Sequence, residues 1–238
     1  MFQAIRLFFN DGLGPRPSTP RARRLARTSR LFLFEFVVVV TGVLVAQMLG
    51  DYAANARASA DARAAVERAE RETANFRATS EYWLSAGPCI DSRMDDLMRA
   101  AANGANDQAY RGTRPRMPLS VFTPWSEATG ITARRVYGDQ LVADYAALGT
   151  MAAKIGEDSY DLAGEWALLG LIDPALGPVT REDRLNARLA AGRIKGRVAS
   201  LQVTAVNAVA AAERLGVSAD PDRSRLLTLP TGCRRIES

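Results

Sequence analysis

The hydrophobic pattern of the chain begins with one continuous apolar stretch, Leu31–Leu49, which contains a single charged residue, Glu35. At 1.5 Å per residue, a helix of that length spans roughly 28 Å, close to the thickness of the hydrocarbon core of a bilayer. The stretch has no polar face between Phe36 and Ala46, whereas a buried helix of a soluble protein normally has one. The pattern therefore predicts one transmembrane helix over residues 31–49.

Three later segments repeat apolar residues at steps of four and three, the spacing of helices that pack against one another. They are 50–86, which is predicted to continue the apolar helix as a stem, Ile131–Ile155 and Thr180–Gly216. Their apolar stripes are Ala62, Val66, Ala69, Thr73, Phe76, Ser80 and Trp83; Tyr137, Leu141, Tyr145, Leu148, Ala152 and Ile155; and Ile194, Val198, Leu201, Ala205, Ala208, Ala212 and Leu215. Because a mostly alanine stripe buries little area, we expect the stem to need the other helices as partners.

The last of these segments carries signals at both ends. Thr180 followed three residues later by Asp183 resembles a capping box, which satisfies the free N–H groups of a helix start. Gly216 suits a helix stop, because glycine readily adopts the left-handed conformation found there.

Shorter helices are predicted at Asp91–Ala102 and Ser159–Leu171, and a long loop is predicted at Asn103–Pro124, where proline and glycine are frequent. The predicted fold class is all-α: an N-terminal transmembrane helix continues into an antiparallel helical bundle. We expect residues 87–238 to form the extracytoplasmic domain, which packs on the stem.

Positive charge is concentrated before the apolar stretch. Residues 1–30 carry seven arginines and one acidic residue, whereas the whole chain has a net charge of +5, so residues 31–238 sum to −1. The positive-inside rule then keeps residues 1–30 in the cytoplasm as a basic tail and exports the rest. A DNA-binding protein would spread positive charge over a folded face, so the lipid bilayer is the expected partner and nucleic acid is not. The predicted location is the bacterial inner membrane, with the C-terminal domain in the periplasm.

A cleaved signal peptide is the alternative to a permanent anchor, because Ala54-Asn55-Ala56 has the form of a cleavage site. The apolar stretch is longer than the usual core of a signal peptide, and about 30 residues precede it, which favours the anchor. In both cases most of the protein leaves the cytoplasm.

The span itself contains two candidate sites. Glu35 is an ionisable group that could serve as a proton or ion site, but one turn from the cytoplasmic end it can instead extend toward the preceding arginines. Gly42, Ala46 and Gly50 recur every four residues, a spacing that lets two helix backbones approach closely in lipid. They predict helix association, although an alanine-rich chain also produces such spacing by chance.

The two cysteines, Cys89 and Cys233, both fall on the exported side. Because an oxidising compartment permits a bridge and two cysteines suffice for one, an intramolecular disulfide is predicted. Two free thiols or an intermolecular bridge remain the alternatives.

A sequence order within the span connects the chain to a family. Glu35 is followed by the aliphatic run 37–40, by Gly42 and by the hydrophobic-Leu-hydrophobic-Ala-Gln order of 43–47. This order resembles a family of uncharacterised bacterial single-pass membrane proteins, which implies the same topology and a helical extracytoplasmic domain. The family has no established activity to transfer. The chain departs from it at 48–52, where the family often has residues rich in Asn and Trp.

The composition excludes several chemistries. The chain has no histidine, which removes Ser-His-Asp and Cys-His catalysis and H-E-x-x-H zinc sites together. It also lacks nucleotide-binding glycine motifs. The adjacent acids Asp95-Asp96 and Glu157-Asp158 could bind a cation but more often form solvated surfaces, and Trp125 and Trp166 could line a pocket but more often fill a core. No cofactor, metal or enzymatic activity is expected.

The expected function is therefore that of a non-enzymatic, membrane-anchored envelope protein, a structural or protein-interaction module that self-associates or holds a protein partner. The alternative is an extracytoplasmic ligand-sensing bundle, which would need a separate signalling partner because residues 1–30 are too short to provide an output. A carboxylate-dependent hydrolase ranks last. A cavity lined by Tyr and Trp would favour the sensor, and a filled core with an exposed apolar stripe would favour the interaction module.

Overall fold

A computed structural model describes residues 20–103, 115–123, 125–173 and 177–229, with side chains from Phe32 onward. Within these ranges the regular structure is helical and contains no strand, which confirms the predicted all-α class. The elements are α1 (Pro20–Ala102), α2 (Glu127–Tyr137), α3 (Asp139–Leu168), a 3-10 turn (Leu169–Ile172), α4 (Arg181–Arg214) and α5 (Pro221–Leu226).

The chain divides into two compact units between Arg57 and Ala58. In the first unit the described residues form the beginning of α1, and every side chain from Phe32 to Arg57 is exposed. This helix contains an apolar window with a mean hydropathy of 2.3, none of it buried. By length and composition it could cross a membrane, which is compatible with the predicted anchor.

The second unit is a bundle built from the rest of α1 together with α3 and α4. Arg77 pairs with Glu213, and Asp95 near the end of α1 pairs with Lys195, so α1 and α4 are antiparallel. Similar pairs join α3 to α4: Asp144 to Arg214 and Glu165 to Arg193. Since both α1 and α3 oppose α4, they run parallel to each other, and the chain must return between them.

The return is made by residues 115–123, which contain no helix or strand, in agreement with the predicted loop. This segment runs antiparallel to α1. The Arg116 carbonyl accepts a hydrogen bond from Tyr82, and later in the segment Thr123 donates one to Glu72, which lies before Tyr82 on α1. Residues 104–114 and 124 lie outside the described residues.

The predicted apolar stripes form the core. Every member of the stem stripe is buried except the half-buried Val66. In α3, Tyr145 and the three stripe positions that follow it are buried, and in α4 the stripe is buried from Ile194 to Ala212. The side chains of this core are largest along α1 and smallest along α4, where alanine lets the helices approach closely. The periodicity of the sequence is thereby confirmed as the pattern of the core.

The predicted separate helix at Asp91–Ala102 is wrong, because α1 continues through Pro88 to the end of that segment. Proline in a helix interior costs about 3 kcal/mol, since it lacks an N–H group and crowds the preceding turn. Trp83, Ile90 and Met94 lie on both sides of Pro88 and are fully buried. Burial of these large side chains outweighs the local cost and keeps the helix intact.

Two further helix boundaries differ from the prediction. The helix expected at Ile131–Ile155 is broken at Gly138, whose φ of 91° lies in the region that favours glycine. The separate helix expected at Ser159–Leu171 is instead the end of α3 and the 3-10 turn. Asp158 and Ser159 are both buried, so the buried face of α3 continues across the predicted boundary.

The signals at the ends of α4 are confirmed. The Thr180 hydroxyl accepts a hydrogen bond from the Asp183 N–H, and the Asp183 carboxylate accepts one from the Thr180 N–H, which completes a capping box. Gly216 has a φ of 71° directly after the helix, as expected of a helix stop.

Candidate functional site

A cavity of about 660 Å³ lies where the returning segment meets α2 and α3. We call it the α2–α3 cavity. Its wall is mostly apolar and aromatic, and its volume is within the range of small-molecule sites. The lining residues are Phe122, Thr123, Trp125, Ser126, Glu127, Gly130, Ile131, Arg134, Val142, Tyr145, Ala146, Gly149 and Thr150.

Two aromatic side chains define the inner wall of the cavity. The rings of Trp125 and Tyr145 have centroids 5.8 Å apart and are tilted by 49°. Phe122 lies against Gly149, where an added Cβ atom would come within 3.2 Å of its ring. The absence of a side chain at Gly149 therefore lets this third ring approach α3.

Polar contacts to α1 hold the segment that contributes these aromatic residues. The Glu72 carboxylate accepts two hydrogen bonds from Thr123, 2.8 Å from its backbone nitrogen and 2.7 Å from its hydroxyl. The Ser120 hydroxyl donates to the Thr79 hydroxyl at 3.0 Å. Burial raises the pKa of Tyr82, which donates to the Arg116 carbonyl, to about 12, so its hydroxyl remains a donor at any physiological pH. The segment is positioned by α1 even though it has no regular secondary structure.

Charged residues occur only at the exposed rim of the cavity lining. Glu127 and Arg134 are both exposed and lie two helical turns apart on α2. Inside, Tyr145 is 5% exposed, and burial, together with the nearby charge of Glu70, raises its pKa. Its hydroxyl forms no hydrogen bond within the described residues and is not fully buried, so it is accessible to a hydrogen-bond partner.

A second feature is the solvent side of α4, which is apolar along most of its length. Leu185, Leu189, Val203 and Val206 are each more than half exposed. Between them lie small exposed residues, and at both glycines an added Cβ atom would meet no other atom within 4 Å. We call this surface the α4 outer face; its members are Leu185, Leu189, Gly192, Gly196, Ala199, Val203 and Val206.

The α4 outer face is directly opposite the buried stripe of the same helix. Its members follow alternating steps of four and three, as the buried stripe does, but half a helical turn away. Only the buried stripe was predicted from the sequence, because one four-three repeat is enough to predict a packed helix. The signal that would have revealed the outer face is the second repeat on the same segment.

The adjacent acidic residues considered as cation sites form ion pairs with basic side chains. Asp95 pairs with Lys195 at 2.5 Å, Asp96 with arginines of its own helix, and Glu157 with Lys154. No group of three potential metal ligands is present in the parts of the chain that the structure describes. These acids therefore serve as ion-pair partners within the fold.

The other predicted site residues have separate surroundings. Glu35, Gly42, Ala46 and Gly50 all lie on α1 in the first unit, where side chains are exposed, and an added Cβ atom would meet nothing within 4 Å at either glycine. Their predicted roles stay predictions. Of the two tryptophans considered as pocket residues, Trp125 lines the cavity and Trp166 is buried in the core.

The predicted disulfide stays a prediction as well. Cys89 is half-buried on α1, one residue after Pro88, and Cys233 lies outside the described residues.

The fold and these features define the class: an all-α bundle whose first helix is apolar enough to cross a membrane. Neither protein-family models, nor curated proteins, nor solved structures give a match to this chain. The resemblance of the span to a family of single-pass membrane proteins therefore stays a prediction.

Proposed function

We propose that this chain is a non-enzymatic, single-pass protein of the bacterial inner membrane that pairs with a second copy of itself through its exported domain. Residues 1–30 stay in the cytoplasm and the bundle occupies the periplasm. The orientation is supported by the charge of +6 on residues 1–30 and by the near-neutral remainder. An exposed apolar stretch near the start of α1, long enough to cross a bilayer, supports the anchor.

The α4 outer face is the observation that carries the proposed pairing. Contiguous exposed apolar surface of this kind marks sites of interaction, because solvating it is unfavourable. The core behind it is already filled by the buried stripe of the same helix, so stability of the monomer gives no reason for a second apolar face. An interaction partner does.

The shape of the α4 outer face favours a second copy as that partner. Its middle is narrow, with Gly192, Gly196 and Ala199, and its ends carry branched aliphatic side chains. Two such helices that cross at the middle approach closely there, while the larger side chains fill the widening space at each end. The surface is thus complementary to itself. Gly42, Ala46 and Gly50 provide an independent small-residue surface in the span.

Photo-crosslinking in intact membranes tests the pairing. With the photoreactive residue benzoylphenylalanine in place of Val203, we expect a covalent dimer. In place of Tyr160, which is 80% exposed on α3, we expect none. The variant Gly196→Leu should abolish the dimer, because a bulky side chain at the middle prevents close approach.

Gly164→Leu is the matched control, because Gly164 is also an exposed helical glycine with nothing within 4 Å of an added Cβ atom. It should leave the dimer unchanged. Equal crosslinking in both leucine variants would contradict the proposal. A covalent adduct between position 203 and a different protein would show that this protein, and not a second copy, is the partner.

A pair of reporter fusions tests the orientation. Alkaline phosphatase at the C-terminus should be active, because it requires the oxidising periplasm, and β-galactosidase at the same position should be inactive. The opposite result would place the bundle in the cytoplasm and overturn the proposed location.

Ligand sensing is the second candidate function, and the α2–α3 cavity favours it. The cavity is lined by Trp125 and Tyr145 and is large enough for a small molecule. As a sensor, the chain would work with a separate signalling partner. The two functions are compatible, since the cavity lining and the α4 outer face share no residue.

A further inference from the structure

We propose that the α2–α3 cavity binds a small amphiphile without net charge, such as a short-chain lipid with an uncharged head. The inference rests on the second candidate function, whose ligand class it names, and is independent of pairing through α4. Three properties of the cavity support it: an apolar wall, a rim without net charge and a tyrosine hydroxyl that has no hydrogen-bond partner within the described residues.

The inner wall selects an apolar body. Phe122, Trp125 and Tyr145 present aromatic rings, and Ile131 and Val142 add aliphatic surface. Among these, Ile131 is 50% exposed, so a bound chain would cover apolar surface that now faces water. Burial of apolar area contributes about 25 cal/mol per Å², which makes such a wall a source of affinity for an acyl chain or an aromatic ring.

The rim selects against net charge. Glu127 and Arg134 are the charged residues that line the cavity, and neither forms an ion pair within the described part of the chain. Their opposite charges cancel at the mouth. A ligand with one net charge would be attracted by one of these two side chains and repelled by the other, so a net charge on the ligand does not raise its affinity.

The unpartnered hydroxyl of Tyr145 provides a polar anchor. The other hydroxyls of the lining are engaged: Thr123 donates to Glu72, Ser126 pairs with Thr129, and Thr150 donates to the Ala146 carbonyl. Because the Tyr145 hydroxyl is not fully buried, a ligand in the cavity can reach it. An ester, hydroxyl or amide of the ligand would satisfy it.

The helix α2 covers the cavity with few contacts of its own. Ala133 is its one buried residue, packed with Ala62 of α1 and Val142 of α3. Gly138 joins α2 to α3 in a conformation that favours glycine. Entry of a ligand therefore requires the displacement of little buried surface.

Photolabelling of the full chain in lipid nanodiscs tests the inference. The probe is an uncharged monoacylglycerol whose short acyl chain carries a diazirine, and labelled positions are mapped by peptide mass spectrometry. We expect labelling concentrated in residues 122–150. Ala146→Phe, which fills the cavity from α3, should lower this labelling about tenfold, equivalent to about 1.4 kcal/mol of binding free energy.

Ala147→Phe is the matched control, because Ala147 is exposed on the same helix but does not line the cavity. The probe should label this variant to the same extent as the unmodified chain. Thr150→Phe, at another exposed lining position, should reproduce the loss and guards against misfolding of the first variant. A fatty-acid probe with the same chain and a free carboxylate should label less.

The inference is overturned if Ala146→Phe and Ala147→Phe label equally, or if labelling is spread evenly over the exposed helices. Equal labelling by the fatty-acid probe would overturn the assignment to uncharged ligands. Crosslinking from position 203 in the same nanodiscs reports pairing separately, so failure of the ligand inference and failure of the pairing proposal are distinguishable.

Discussion

At the scale of single residues, Asp158 is the most constrained charge in the bundle. Its side chain is 1% exposed, and its carboxylate accepts hydrogen bonds from Lys154 at 2.8 Å, Ser200 at 2.8 Å and Arg197 at 3.0 Å. Burial alone would raise the pKa of Asp158, but these three donors outweigh it and hold the pKa below its ordinary value. One buried carboxylate thus connects α3 to α4.

Replacing this carboxylate should destabilise the bundle. For Asp158→Asn we expect a loss of about 1.5–3 kcal/mol in the free energy of unfolding, because the hydrogen bonds from Lys154, Arg197 and Ser200 lose their charged acceptor. The control is Asp161→Asn: Asp161 also pairs with Arg197 but is 36% exposed, so its loss should be below about 1 kcal/mol. Guanidinium unfolding of the detergent-solubilised chain, followed by tryptophan fluorescence, measures both; equal losses would contradict the assignment.

The pH dependence of stability follows from the same group. An unfolded Asp has a pKa of about 3.9, and the folded pKa of Asp158 is lower. The ionised carboxylate therefore stabilises the fold fully at pH values above about 3.9. The contribution is lost as the pH falls through the folded pKa. We expect the free energy of unfolding to decline below about pH 4 in the unmodified chain and to decline less in Asp158→Asn; parallel declines would argue against this role.

At the scale of elements, α1 and α4 come into close contact at Gly87. An added Cβ atom there would lie 2.5 Å from the side-chain nitrogen of Gln202 and 2.8 Å from its Cγ. A glycine inside a helix is unfavourable by about 0.5–1 kcal/mol relative to alanine. Its presence is explained by the room that the Gln202 side chain requires.

A double-mutant comparison tests that contact. Gly87→Leu should lower the free energy of unfolding by about 1–3 kcal/mol through overpacking, and Gln202→Ala in the same chain should restore part of the loss. Gly156→Leu, at a helical glycine of α3 with no atom within 4 Å of an added Cβ, should cost little. Thermal melts monitored by circular dichroism give the comparison. Additive effects at positions 87 and 202 would exclude direct contact.

Most of the core could be predicted from periodicity, because apolar steps of four and three have one explanation in a packed helix. The stripes ending at Trp83 and Ile155 are examples, and both are buried. Helix ends were harder to predict. The stem was predicted to end at residue 86, but burial of the side chains around Pro88 keeps the helix continuous. Gly138 causes a break that the flanking helical pattern concealed.

The candidate sites were mostly beyond the reach of local patterns. The α2–α3 cavity forms because Phe122 and Trp125, from a segment without periodicity, meet Tyr145 across the bundle. Such contacts depend on how the chain returns along α1, which no short sequence motif specifies. The α4 outer face was accessible in principle, since a second repeat shares the helix with the first.

At the scale of the whole molecule, the C-terminal segment runs along α1 toward Cys89. The Asp220 N–H donates to the Ala74 carbonyl, and the Leu226 carbonyl accepts from Arg116, which itself contacts Tyr82. Leu229 packs against the core. The four further residues to Cys233 can span roughly 13 Å, so the direction of the chain supports the predicted bridge.

The bridge can be tested by alkylation of the intact chain purified without reductant. We expect neither cysteine to react until reductant is added, and Cys89→Ser should make Cys233 reactive. Because the bridge closes a loop of 145 residues, its loss should reduce the free energy of unfolding by about 2–5 kcal/mol. The double serine variant should be no less stable than either single variant. Ready alkylation of both cysteines without reductant would refute the bridge.

The side-chain contacts that hold residues 115–123 on α1 also have a practical consequence. Because Glu72 and Thr79 bind this segment directly, its place on α1 does not depend on one particular length of the connection between Asn103 and Pro115. Each doubling of a connection's length costs only about 0.6 kcal/mol in closure entropy. An epitope or a fluorescent protein spliced into this connection would let the molecule be followed in living cells with both termini left untouched.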